Sequence, residues 1–197
     1  MTPRKILVLN GHPGERSLSQ LFANTYAASA TAAGHDVQTV DLADLDFDPD
    51  FGGGGYHDHK PLEPDLQDFT AKLQWADHFV LALPMWWGSM PAKLKGLFDR
   101  TFLPGVTFDT RNKTKLGLPA PLLTGRTAQL IVTADTPMWA LRMLYSRAML
   151  HMMHGQILKF VGMKPRKPLW FAGATDAKSD QIDKWIAAVK FAATAAA

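Results

Sequence analysis

Short, nearly all-apolar runs alternate along the chain with longer stretches whose apolar residues recur every three or four positions. This is the pattern of buried strands alternating with crossover helices. Strands are expected at Lys5–Asn10, Val37–Leu42, His78–Pro84, Thr127–Thr133 and Pro168–Ala174. Helices are expected from Leu18 to a C-capping Gly34, over Asp65–Trp75, from Pro91 through Leu94, Leu97, Phe98 and Phe102, over Met138–Val161, and over Ser179–Ala193. Strict alternation and right-handed crossovers predict one α/β domain over residues 1–197. Its architecture is a three-layer, doubly wound sandwich, a five-stranded parallel sheet of order 2-1-3-4-5 with helices on both faces. In such a sheet ligands sit outside the carboxyl ends of strands one, three and four. The segments 46–64, with a glycine run at 52–55, and 104–124 are too long for ordinary connections.

Composition narrows the chemistry. At 47% hydrophobic and 20% charged residues the chain is a folding, globular sequence. The absence of cysteine excludes disulfides, thiolate-held metals and a cysteine nucleophile, and fits a reducing cytoplasm. The apolar run Ile6–Leu9 behind the basic start is far short of a signal-peptide core, and no stretch approaches the roughly 20 apolar residues of a spanning helix. A cytoplasmic protein without an integral membrane segment is expected. The net charge of +3 hides an uneven distribution: residues 36–68 carry ten acids against Lys60, whereas residues 93–167 carry thirteen Lys and Arg against three Asp. A basic half attracts anionic ligands. No basic run or nucleic-acid-binding signature accompanies it, so no nucleic-acid partner is expected.

Two segments carry candidate chemistry. The loop after strand one reads NGHPGERSLSQ, residues 10–20. Gly11 and Gly14 permit tight turns, Ser17 or Ser19 can cap the following helix, and that helix's free amides attract an anion such as phosphate. It is not the GxGxxG dinucleotide fingerprint, so Asp41 at the end of strand two reads as a loop residue and not a ribose acceptor. The second segment, ALPMWWGSMPAKLKGLFDRTF at 82–102, places two indoles at a strand end facing the expected crevice, where they can wall a flat conjugated ligand. Packing alone would bury one of them. His57-Asp58-His59 and the pair His151 and His154 lack complete ligand sets, and no metal site is expected. Asp99 and Arg100 read as a helix-face pair, and Met143, Met149, Met152 and Met153 as core or dimer packing.

Together with LLTGRTAQLIVT at 122–133, these segments resemble the flavodoxin-like NAD(P)H:quinone oxidoreductase family, which includes the modulator of drug activity B proteins and the quinone reductases ancillary to potassium efflux. The resemblance implies a bound flavin, with His12, Ser17, Leu18 and Ser19 on its phosphate and ribityl side. Pro84, Met85, Trp86, Trp87 and Gly88 would line its ring, and Thr133, Ala134, Asp135 and Thr136 would occupy the loop after strand four. Family members often carry a Gly-Gly pair where this chain has Asp135-Thr136. The family's assisting Tyr and His have no counterparts at the right spacing here, since Tyr145, His151 and His154 fall elsewhere, and no catalytic side chain is assigned. The implied activity is two-electron, ping-pong hydride transfer from NAD(P)H to a quinone or similar small planar acceptor, with FMN, or alternatively FAD, as cofactor. Lys93, Arg111, Lys113 and Lys115 would steer the NAD(P)H phosphates, and a homodimer is implied. The alternative is a non-catalytic flavodoxin-fold regulatory or partner subunit, motivated by Asp135.

Overall fold

A computed structural model describes residues 2–53, 55 and 58–195. The main sheet is built on β1 (Lys5–Asn10), β2 (Asp36–Asp41), β3 (His78–Pro84), β6 (Thr127–Ala134) and β8 (Leu169–Ala172), all parallel. The order β2-β1-β3-β6-β8 is the expected 2-1-3-4-5. All seven residues of β3 are buried, as are Ile6–Asn10 of β1, which is why these strands read as continuous apolar runs and not as alternating ones.

Alternate residues feed two cores. Ile6, Val8, Val80, Ala82 and Ile131 point to one face, where α1 (Leu18–Ala32) and α6 (Ser179–Thr194) supply Phe22, Tyr26, Val189 and Ala193. Leu7, Leu9, Phe79, Leu81, Leu130 and Val132 point to the other, against α2 (Pro64–Trp75) and α3 (Ala92–Thr101). Ser17 caps α1 by accepting from the Gln20 amide, and Gly34, at φ +88°, follows its end as expected.

The long segments carry structure of their own. Within 104–124, β4 (Phe108–Lys113) and β5 (Pro119–Pro121) pair antiparallel, apart from the main sheet. The acidic segment 46–64 is strapped to α3 by Arg100, which is not the surface partner of Asp99 that its position suggests. Its guanidinium turns inward, 1% exposed, and forks onto Glu63 at 2.8 and 3.1 Å. It also donates to Pro61 O at 2.8 Å and to Asp48 O. Asp99 pairs instead with Lys95, one turn back. Beside the strap, Pro49 lies so close to Gly96 that a Cβ there would overlap it.

The stretch 138–161 is not one helix. After α4 (Met138–Tyr145), Ser146 and Arg147 both adopt left-handed φ angles, 48° and 54°. Two such residues in succession cost about 1–2 kcal/mol each and turn the chain. It resumes as α5 (Ala148–His151) and widens into a π-helix over Met152–Lys159, before β7 (Lys164–Pro165) adds two residues to the edge of β6. Met149 and Met153 are buried in the core, whereas Met143 is exposed.

At the amino ends of the strands, His78 is fully buried. Its Nε2 lies 3.0 Å from Tyr26 Oη and its Nδ1 2.6 Å from Thr127 Oγ1, which also accepts from Arg4. Burial, with Arg166, Arg4 and His35 nearby, pushes the His78 imidazole down to about 3. Burial likewise raises the Tyr26 phenol above its ordinary range.

Candidate functional site

The register of the central strands sets Asn10 beside Ala82, and Pro84 beside Thr133, so the loops after β1, β3 and β6 leave the sheet at one level. Between them lies a cleft of about 200 Å³. The first loop contributes His12 and Ser17–Ser19, the second Pro84–Trp86, and the third Thr133–Asp135. Trp87, Gly88 and Thr136 stand on the same loops without lining the cleft itself. Ala174 and Thr175, after β8, complete it. Neither had a sequence signal, because each reaches the site only through the pairing of β8 with β6.

Hydrogen bonds hold the first loop in shape. His12 Nδ1 sits 2.8 Å from Gly14 O and 3.0 Å from Gly14 N, and the His12 amide donates to Asn10 Oδ1. Asp41 accepts twice from Asn10 Nδ2 and once from Gln20 Nε2, so it braces the loop. The Gln20 amide is bound by the Ser17 cap. The amides of Leu18 and Ser19 ahead of it have no intrahelical acceptor, as in any first helical turn, so this end of α1 presents free donors to the cleft. Ser19 is buried with its Oγ 3.5 Å from Thr133 Oγ1, closing the floor.

The second loop is a tight turn. Trp86 and Ser89 exchange both backbone hydrogen bonds at 2.9 Å, while Trp87 (φ 52°) and Gly88 (φ 74°) occupy the central positions. Both positive angles make this a type I′ turn, which glycine takes freely and a tryptophan takes only at a cost of about 1–3 kcal/mol. The expectation that packing buries one indole fails. Trp87 is completely exposed on this turn and Trp86 is 43% exposed, standing edge-on to the His12 ring at 5.4 Å.

In the third loop the Asp135 carboxylate accepts from the Thr175 amide at 2.9 Å and the Thr175 hydroxyl at 2.8 Å, and these bonds hold it below the usual carboxylate range. Thr136 O accepts from Trp170 Nε1. None of Lys93, Arg111, Lys113 and Lys115 reaches the cleft: Lys93 donates to Ala43 O, and Arg111 is paired with Asp109. Tyr145, His151 and His154 also lie outside it. His57 lies outside the described residues. A larger hollow of about 460 Å³, walled by Phe51, Phe98, Phe102, Phe108 and Phe160, sits between α3 and the π-helix and shares no residue with the cleft.

Comparison with known proteins places this arrangement. A protein of Penicillium crustosum, the ribosyldihydronicotinamide dehydrogenase-like protein traD, is 31% identical over 153 residues, covering 66% of this chain and 57% of its own. The ribosyldihydronicotinamide dehydrogenase [quinone] of Pongo abelii is 30% identical over 152 residues, covering 68% of this chain and 64% of its own. The chain thus spans less than two thirds of the length of these relatives. Among solved structures, the NAD(P)H:quinone oxidoreductase of Methanothermobacter marburgensis superposes with a TM-score of 0.80 at 21% identity, covering 98% of each chain, a likeness of fold. The family model described as flavodoxin-like fold matches residues 4–191. That match runs through every strand and loop that builds the cleft, and the chain belongs to the flavodoxin-like fold family.

Proposed function

We propose that the protein is a flavin-dependent NAD(P)H oxidoreductase that reduces quinones or similar planar acceptors, with FMN held at the cleft. One juxtaposition carries the reading: the open amides of α1 lie across the cleft from an exposed, strained tryptophan turn. Fit to the flavin follows from these groups. The terminus at Ser17–Ser19 offers anion-binding donors for a phosphate, and about 200 Å³ takes the phosphate and ribityl chain but not the whole cofactor. The ring then extends over Met85–Gly88, where Trp86 and Trp87 supply stacking area. With Asp135 bonded to Thr175, its charge is already satisfied, which weakens the case for a non-catalytic subunit.

When bound, FMN supplies the two-electron chemistry, accepting a hydride from NAD(P)H and giving it to the acceptor in a separate half-reaction. The chain's own part is position: the turn at Trp87–Gly88 fixes one wall, and the Ser19–Thr133 contact fixes the depth. The names of relatives in the quinone dehydrogenase class support this reading. The purified protein should retain FMN after removal of free flavin, and NADPH should bleach its absorbance anaerobically, with a quinone restoring it. Trp87→Ala should weaken FMN retention about tenfold through lost stacking. Retention of neither FMN nor FAD would overturn the reading.

A homodimer is part of the same proposal. Trp87, Trp139, Met143, Leu144 and Tyr145 are each more than half exposed, and the last four all stand on α4, an apolar helix surface of the kind a second copy can cover. Light scattering should return twice the 21.7 kDa chain mass, and a monomer at micromolar concentration would refute the assembly.

A further inference from the structure

A second groove of about 420 Å³ runs beside α5 and the π-helix. Arg147, His151, His154 and Lys159 line it from the helices, and Lys167 from the strand connection opposite. No carboxylate lines it, and among the described residues none of Arg147, Lys159 and Lys167 is ion-paired. The remaining wall is apolar, formed by Met138, Leu150 and Pro168. His154 Nε2 is shielded from water and has no hydrogen-bond partner, a condition rare in folded proteins. Burial, with Lys159 and His151 nearby, pushes the His154 imidazole down. Arg147 lies at the sharp turn that separates α4 from α5, and it lines this groove.

Several unpaired cations beside an apolar wall fit a ligand with more than one phosphate and a flat, uncharged base. One lining residue of the groove is near the cleft along the chain: Met138 stands three residues after Asp135, so at most about 11 Å of extended chain separates those two. We propose that this groove binds the adenosine-phosphate half of the pyridine nucleotide, its 2′-phosphate included, while the nicotinamide end enters the cleft. The inference rests on the oxidoreductase reading only for its nicotinamide end, and it makes NADPH the preferred donor.

The test uses adenosine 2′,5′-bisphosphate, which carries the phosphates and the base but no nicotinamide, titrated calorimetrically into the full chain with and without FMN. Saturable binding is expected, weakening as salt rises and falling at least tenfold in the double variant Lys159→Glu/Lys167→Glu, whose melting temperature and flavin content serve as checks on its folding. The same variant should raise the KM for NADPH more than that for NADH. Absent binding, or binding the double variant leaves unchanged, overturns the proposal. Equal occupancy by inorganic phosphate would reduce the groove to a free-anion site and overturn it as well. Bisphosphate binding by a protein that retains no flavin would leave the groove standing and remove the redox reading alone.

Discussion

Replacing Arg100 by alanine should cost about 3–5 kcal/mol, among the largest losses available to a single substitution here. The guanidinium is 1% exposed and joins three acceptors from one segment, the Glu63 carboxylate, Pro61 O and Asp48 O. Truncation leaves both carbonyls without their donor and opens a void beside Gly96 and Pro49. In a chain of 197 residues that corresponds to a melting temperature lower by roughly 6–20 °C. Glu63→Gln keeps one acceptor but leaves the buried guanidinium without its counter-charge, and should cost a comparable amount. Urea denaturation of both variants measures the losses. A loss below about 1 kcal/mol for the alanine variant would mean that segment 46–64 is held by something other than this side chain.

Acid should weaken the fold in a window set by His78. Its native imidazole titrates at about 3, against roughly 6.5 unfolded. Between those values the unfolded chain binds a proton that the native state refuses, so stability falls as pH drops. The full span amounts to roughly 5 kcal/mol. His154 acts with the same sign. The lowered carboxylates, Asp48, Asp50, Glu63, Asp109 and Asp135, contribute stability that is lost chiefly as pH falls below about 4.5. Between pH 6.5 and 4.5 the histidines therefore dominate. His78→Gln should flatten the slope there relative to the unsubstituted protein, whatever it does to stability at neutral pH. An unchanged slope would show that another group takes up the proton.

The strands that position the cleft were legible because burial on both faces leaves a continuous apolar signature, as in Ile6–Leu9 and Phe79–Leu83, and the right-handed crossover rule orders them. The loops after β1, β3 and β6 were legible for the same reason, since they must emerge at one edge. What could not be read was decided by contacts distant in sequence. Nothing in residues 138–161 announces a turn at Ser146–Arg147, because no glycine or proline stands there to mark it. Arg100 looked like the partner of its neighbour because pairing rules are local, whereas its acceptors lie on a segment ending 37 residues earlier. Thr175 meets Asp135 across 40 residues. The exposure of both tryptophans reflects a turn whose type depends on backbone angles, and the sequence pair Trp87-Gly88 disfavours that type at its first position.

The Arg100 strap also bears on how long the native state lasts. Its acceptors lie 37 to 52 residues before it, so the intervening chain, including all of α2 and β3, must be ordered before the strap can close. We expect this contact to close late on the folding route, and a φ-value near zero for Arg100→Ala is the result that checks it. Its loss then falls on the unfolding rate and hardly on the folding rate. Arg100 would act as a latch, with little say in how fast the native state is reached and much in how slowly it is left.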